Sequence, residues 1–234
     1  MKKLVIIPAY NESGNILRAV ADIREHAPDF DYVIVNDCST DATLRLCREH
    51  GLNHVNLSVN LGIGGAVQTG YLYGIQNGYD LAVQFDGDGQ HDAAYLPCMA
   101  EELIRSGSDM VIGSRFIERE GFQSSGLRRI GIRYFSCLIR LLTGARVTDP
   151  TSGMRMVNRD VMAIYANNYP KDYPEPESVV AILRMGKKVT ELPVVMRELR
   201  EGDSSHGGMI SAYYMIKVTV AILLECLRKV HASC

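Results

Sequence analysis

Short β-branched runs recur along this chain, each followed by a longer stretch of helical period, and few architectures accept that alternation. Leu4-Val5-Ile6-Ile7 opens the series. Ile16, Val20 and Ile23 then recur at helical spacing behind Ser13, which reads as an N-cap, and Pro28 marks the helix end. Tyr32-Val33-Ile34-Val35 reads as a second strand. A helix from Ala42 to Glu49, a short strand from His54 to Val59, and a glycine-rich turn entering a helix from Ala66 to Ile75 follow it. A strand over Leu81-Ala82-Val83-Gln84-Phe85, a helix from Ala93 to Arg105 and a strand from Asp109 to Ile112 complete a Rossmann-like, nucleotide-binding half. Beyond Ser114 the pattern predicts a basic helix from Leu127 to Leu142, a polar turn from Thr148 to Gly153, two helices, a strand from Val189 to Val195 and a terminal helix. The expected fold is α/β, a mostly parallel twisted sheet flanked by helices. With 234 residues, 47% of them hydrophobic, the chain can bury one substantial core. We expect a single domain over 1–206 and a C-terminal amphipathic helical tail over 207–234.

Composition excludes several classes. Lys and Arg number 25 against 27 Asp and Glu, so no global field draws the chain to nucleic acid. The six cysteines, Cys38, Cys47, Cys98, Cys137, Cys226 and Cys234, show no C-x-x-C pair and no zinc-finger spacing, which fits reduced thiols in a cytoplasmic protein. The apolar run after Lys2 and Lys3 stops at Pro8, too short for a secretory core, and reads as a strand. The longest apolar stretch, from Met209 to Leu224, contains Lys217 and falls short of the roughly 20 residues a spanning helix needs.

The chemistry concentrates at strand ends. Phe85-Asp86-Gly87-Asp88-Gly89-Gln90-His91 stands where a buried strand stops, and ligands of open α/β sheets bind outside the carboxyl ends of strands. Two carboxylates one residue apart, freed by glycines, can turn toward one hard divalent cation, Mn²⁺ or Mg²⁺, that shares its shell with substrate phosphates. An Asp/Gly surface turn is the competing reading. Pro8-Ala9-Tyr10-Asn11-Glu12 ends the first strand and Asn36-Asp37-Cys38-Ser39-Thr40-Asp41 the second, so three polar clusters face one cleft. The glycines at 62, 64 and 65 do not form the dinucleotide fingerprint, which needs the first strand before it and an acid about 20 residues on, nor is there a P-loop. We read them as allowing close backbone approach to a ligand.

P-A-Y-N-E at 8–12, N-D-C-S-T-D at 36–41, N-L-G-I-G-G-A at 60–66, D-G-D-G-Q-H at 86–91 and G-S-R at 113–115 resemble, in order and spacing, the inverting glycosyltransferases of family 2. The Q-H after the acidic pair and D-P-T-S-G-M-R at 149–155 resemble the polyprenyl-phosphate branch, whose type is dolichyl-phosphate mannosyltransferase. The resemblance reaches to about His206. It implies a GT-A catalytic domain in which Pro8, Tyr10 and Glu12 line the base and ribose pocket, Asp37 bonds the nucleobase and Gly65 approaches the donor. It further implies that Asp86, Asp88 and Gln90 hold the metal, that Arg115, Arg129 and Arg133 meet an acceptor phosphate, and that Arg200 closes over the donor. Asp149 would orient the acceptor or organise its loop. Two departures stand out: the 200–206 loop matches the family's R-x-x-G-x-S-K loosely, with His206 for lysine, and Asn36 replaces the first acid of a D-D pair.

Arg129 and Arg133 are four apart and share a helix face, which suits a joint grip on one phosphate, whereas Arg119, Arg140 and Arg146 read as a solvated face. The terminal helix sets Tyr213, Tyr214, Ile216, Val220, Leu223, Leu224 and Leu227 beside Lys217, Arg228 and Lys229, an arrangement that fits either the core or a membrane interface. The expected function is inverting transfer of a hexosyl group from a UDP- or GDP-sugar, a nucleotide-diphospho-sugar donor, to a polyprenyl phosphate. The expected partners are the membrane surface, at its cytoplasmic face, and a membrane-embedded subunit where docking requires one. Three alternatives stay open: a soluble transferase acting on a saccharide or protein hydroxyl, where Asp149, Glu175 or Glu177 would supply the base; a nucleotidyltransferase; and a non-catalytic nucleotide-sugar-binding protein.

Overall fold

The computed structural model describes residues 1–118, 126–171, 174–197 and 208–227. Strand β1, Lys3–Ala9, lies in the middle of the sheet with Leu4, Val5, Ile6 and Ile7 wholly buried. An unbroken apolar strand needs cover on both faces, and the chain supplies it. Val5 and Ile7 pack into one cluster with α1 (Ile16–His26) and α4 (Leu96–Ser106). Leu4 and Ile6 pack into the other, with α3 (Gly62–Gln76), α5 (Gly126–Thr143), α6 (Arg159–Asn167), α7 (Pro174–Arg184) and α8 (Gly208–Leu227). The remaining strands are β2 (Asp31–Asn36), β3 (His54–Asn56), β4 (Leu81–Gln84), β5 (Met110–Ser114), β6 (Arg155–Asn158) and β7 (Val189–Pro193), and α2 spans Thr43–Glu49. Their order in the sheet is β3-β2-β1-β4-β6-β5-β7, parallel throughout except at β6, which runs against both β4 and β5.

Four sequence expectations need correction. Helix α1 starts at Ile16 behind Asn15 with no side-chain cap; the Ser13 amide instead donates to Asp41 Oδ2 at 3.0 Å. Strand β3 ends at Asn56, not Val59. Helix α3 begins at Gly62, so the glycines form its first turn and do not precede it. Strand β6 was not anticipated at all: Arg155-Met156-Val157-Asn158 carries one β-branched residue, and its Asn158 already caps α6 by accepting from the Val161 amide at 3.0 Å.

Strand β6 matters because it carries Arg155, a fully buried side chain opposite Gln84 in the ladder. Its Nε donates to Ser152 O at 2.7 Å, Nη2 to Pro150 O at 2.8 Å, and Nη1 to Glu175 O at 2.6 Å and Ser178 Oγ at 2.9 Å. The guanidinium therefore ties the 150–152 loop to the start of α7. Glycines let helix α3 approach its neighbours closely: a Cβ at Gly70 would lie 2.2 Å from Ile6 Cγ2 of β1, at Gly74 2.6 Å from Met162 Sδ of α6, and at Gly64 2.0 Å from Pro170 O.

Alanine has the better helix propensity by about 1 kcal/mol, yet Gly70→Ala must push α3 off β1. Urea unfolding should show it destabilised by about 1–3 kcal/mol. Gly14→Ala, with nothing within 4 Å, should stay within about 0.5 kcal/mol of the parent.

Candidate active site

Because β1, β2 and β4 are parallel, their carboxyl ends share one edge of the sheet, and the three polar clusters meet there. They line a cleft of ≈ 470 Å³ formed by Pro8, Tyr10, Glu12 and Asp37 on one side, Asp86, Gly87 and Asp88 on another, and Asn60, Gly62, Ile63 and Ala66 on the third. Tyr10 is half exposed, an aromatic face left open beside the polar groups. Asp37 is buried, and its Oδ1 accepts from the Leu61 amide at 2.7 Å. Asn11, at φ 60, accepts from the Thr40 and Asp41 amides and so clips the first strand-end loop to the second. Hydrogen bonds from Thr43 and Ser13 outweigh burial at Asp41 and hold its carboxyl down at about 2. Gly65 packs against Leu61 in the first turn of α3, and the space beside Gly64 is taken by the Pro170–Lys171 backbone.

The Asp86 carboxylate is held from two sides. Gln84 Nε2 donates to Oδ1 at 3.0 Å, and His91 Nε2 stands 3.5 Å from Oδ2. The His91 ring accepts the Asp86 amide proton at Nδ1, 2.9 Å away, which places the ring proton on Nε2, facing the carboxylate. His91 itself is buried, edge-on to Phe85 at 5.4 Å. A Cβ at Gly153 would lie 2.5 Å from Asp86 Oδ2, so the 149–154 loop reaches the acidic motif only because residue 153 is glycine. Asp88 Oδ1 accepts the Gln90 amide at 2.9 Å. Burial, and then the charge of Asp86, raise the Asp88 carboxyl above its ordinary value. Two half-buried carboxylates in one turn offer oxygens suited to a hard divalent cation, whereas Gln90 does not line the cleft. Among the described residues no three His, Cys, Asp or Glu side chains gather into a metal cage. Two acids leave positions open for ligand oxygens.

On the far side of the motif, Arg115 and Asp149 form a buried ion pair. Arg115 Nε donates to Oδ2 at 2.7 Å and Nη2 to Oδ1 at 2.8 Å, while the Arg115 amide and Thr151 Oγ1 complete the carboxylate's bonds. Glu191 of β7 accepts from the amides of Thr148 and Asp149 at 2.8 and 2.9 Å, and burial raises its carboxyl. Arg129 and Arg133 are exposed on α5 and do not line the cleft. Arg200 and His206 lie outside the described residues, as do Arg119, Arg228 and Lys229. Just before that gap the Arg197 amide donates to Gln90 O at 2.9 Å, and its guanidinium pairs with Asp22 and Asp92. Gln84, Arg155, Glu191 and Arg197 escaped the sequence reading. Gln84 left one signal, a polar residue closing an otherwise apolar strand.

The model of the family described as glycosyl transferase family 2 matches residues 4–164. The chain is similar to the undecaprenyl-phosphate mannosyltransferase of Micrococcus luteus, 29% identical over 231 residues, 94% of this chain and 93% of that protein. It is 30% identical over 210 residues to the UDP-N-acetylglucosamine–dolichyl-phosphate N-acetylglucosaminyltransferase of Methanococcus voltae, covering 81% of this chain and 83% of that one. Among solved structures, glucosyl-3-phosphoglycerate synthase from Mycobacterium tuberculosis, in complex with Mn²⁺, uridine diphosphate and phosphoglyceric acid, aligns with a TM-score of 0.73 at 18% identity. That alignment covers 96% of this chain and 78% of the synthase, and it bears out the single GT-A fold. With strand-end motifs converging on one cleft and the family model spanning most of the sheet, the chain belongs to glycosyl transferase family 2.

Proposed function

We propose that this protein transfers a hexosyl group, with inversion, from a nucleotide-diphospho-sugar to a polyprenyl phosphate. The observation that carries the reading is the meeting of the Asp86–Asp88 turn with Tyr10 and Asp37 in one cleft. Tyr10 offers a stacking face, Asp37 a carboxylate for the base, and Pro8 and Glu12 the remaining wall. Asp86, Asp88 and Gln90 would hold Mn²⁺ or Mg²⁺, which when bound supplies Lewis-acid stabilisation of the leaving diphosphate. Gln84 and His91 keep the Asp86 carboxylate aimed, and Asp88 stands in the same turn.

The names of the relatives support a lipid phosphate acceptor, and so does the state of Asp149. Both its oxygens are already engaged by Arg115. A phosphate monoester, whose second pKa is about 6, is already largely anionic at neutral pH and needs no base. Asp149 then positions Arg115, whose Nη1 edge is left for the acceptor phosphate. Arg129 and Arg133, exposed one turn apart, would complete that grip.

Thermal stabilisation and hydrolysis of UDP- and GDP-sugars with Mn²⁺, with and without a polyprenyl phosphate, test the donor and acceptor together. Asp88→Ala should lose Mn²⁺-dependent donor stabilisation and at least about 100-fold in turnover, on the order of 3 kcal/mol, with the fold intact. Gln90→Ala should lose less, and unchanged activity in the Asp88 variant would sink the reading.

With the lipid acceptor dispersed in neutral detergent, Arg129→Ala should raise its apparent KM about tenfold and leave donor hydrolysis alone. Arg140→Ala should do little. Equal effects at both positions would reduce the arginines to a diffuse field.

A further inference from the structure

Glu191 is an acid in the outermost strand of the sheet, and its carboxylate turns to a backbone corner, not to a cation. Strand β7 pairs with β5 alone, and Glu191 stands opposite Ile112 in the register. From there it takes three donors of the 148–149 corner. Oε1 accepts from the Thr148 and Asp149 amides, each at 2.9 Å, and from Thr148 Oγ1 at 3.0 Å, while Oε2 accepts from the Thr148 amide at 2.8 Å. The group is half-buried; burial raises its carboxyl, and the charge of Asp149 pushes the same way. Two acids set side by side away from water cost folding free energy, so the arrangement points to a purpose other than stability.

Both routes out of this carboxylate end at Arg115. Along the first, the Asp149 main chain is fixed, and its side chain accepts from Arg115 Nε at 2.7 Å and from Nη2 at 2.8 Å. Along the second, the Thr148 hydroxyl gives its single proton to Glu191 and must therefore accept from Ser114 Oγ, 2.8 Å away. Ser114 immediately precedes Arg115, and its Oγ accepts in turn from the Phe116 amide at 3.3 Å, so the residues on both sides of Arg115 are held. One glutamate thus steadies the guanidinium through its carboxylate partner and the backbone through its neighbours. Glutamine in its place would offer one acceptor oxygen and turn an NH₂ toward amide donors, and aspartate is a methylene shorter.

We propose that Glu191 is a positioning residue for the acceptor: it sets the direction of Arg115 through Asp149 and through Thr148 and Ser114, and with it the affinity for the acceptor phosphate. The proposal deepens the acceptor reading and rests on it. A misplacement of about 1 Å in a binding group can cost on the order of 100-fold, so a small shift of Arg115 that leaves its pairing with Asp149 intact still weakens its grip on a phosphate.

Steady-state transfer to a short-chain polyprenyl phosphate in neutral detergent, with Mn²⁺ and whichever UDP- or GDP-sugar the wild type hydrolyses, tests it. Glu191→Gln and Glu191→Asp should each raise the acceptor KM about tenfold, while kcat at saturating acceptor, donor KM and donor hydrolysis stay within about twofold of the parent. Thr148→Val keeps the glutamate and removes the hydroxyl that joins it to Ser114; it should raise the acceptor KM about threefold, and it carries the test if the Glu191 variants do not fold. Thr190→Val is the control: it is adjacent in the same strand, its buried hydroxyl has no partner, and its removal should leave the acceptor KM at the parent value. A purely structural role would slow donor hydrolysis and transfer alike with the acceptor KM unmoved. That pattern, or an acceptor KM unchanged in the folded variants, would overturn the proposal. The acceptor reading fails by a different result, a wild type that transfers equally well to a hydroxyl acceptor lacking phosphate. A wild type that requires the phosphate, with Glu191 variants that keep its KM, removes only the role of Glu191.

Discussion

The buried pair of Arg115 and Asp149 joins the two halves of this molecule. Neither side chain has water to fall back on, and the geometry is the paired, parallel kind in which a guanidinium and a carboxylate satisfy each other. Such a pair adds little net stability over an apolar replacement, but removing one partner strands a buried charge at a cost of about 3–5 kcal/mol. Its value lies in what it fixes. Arg115 follows the end of β5, Asp149 leads into β6, and Glu191 of β7 holds the Thr148–Asp149 backbone, so three neighbouring strands are locked at the edge where the cleft opens.

Reversal of β6 makes this lock possible. A parallel strand would deliver its leading loop to the opposite edge of the sheet; an antiparallel one brings Asp149-Pro150-Thr151-Ser152-Gly153 to the carboxyl end of β4, beside Asp86. Arg155 then holds that loop from behind through the carbonyls of Pro150 and Ser152. The 149–153 loop and the acidic turn are thus set against each other by backbone geometry and one buried guanidinium.

The donor-side half was largely legible in the sequence because its signals are local. Strands β1 and β2 are β-branched runs and β4 an apolar one, each of the three ends in a polar cluster, and parallel pairing brings the ends together without further information. The acidic turn at the end of β4 was readable from Asp86, Asp88 and the glycines between and after them. The second half was not, because its decisive elements depend on partners far away in the chain. Nothing in Arg155-Met156-Val157-Asn158 announces a central strand, and nothing near Glu191 announces that its carboxylate will hold Asp149. The part played by His91 emerges only in the fold, where its ring receives the Asp86 amide. Of the glycines at 62, 64 and 65, read toward a ligand, that at 64 is already required by the Pro170–Lys171 backbone, as those at 70 and 74 are by Ile6 and Met162.

The strand order also constrains how the chain reaches this state. Strands β1, β2, β3 and β4 find their mutual partners as soon as the first part of the chain exists, but both neighbours of β5, which are β6 and β7, come later in the sequence. During synthesis the fully buried segment Met110–Ser114 therefore emerges with no strand to pair with, while the donor half can already close. Until β6 is made and turned back between β4 and β5, β5 is an open edge of apolar residues, the kind of surface that invites association with other chains. The same insertion that brings the 149–153 loop to the cleft thus leaves the nascent protein, for an interval, with an unpaired apolar strand.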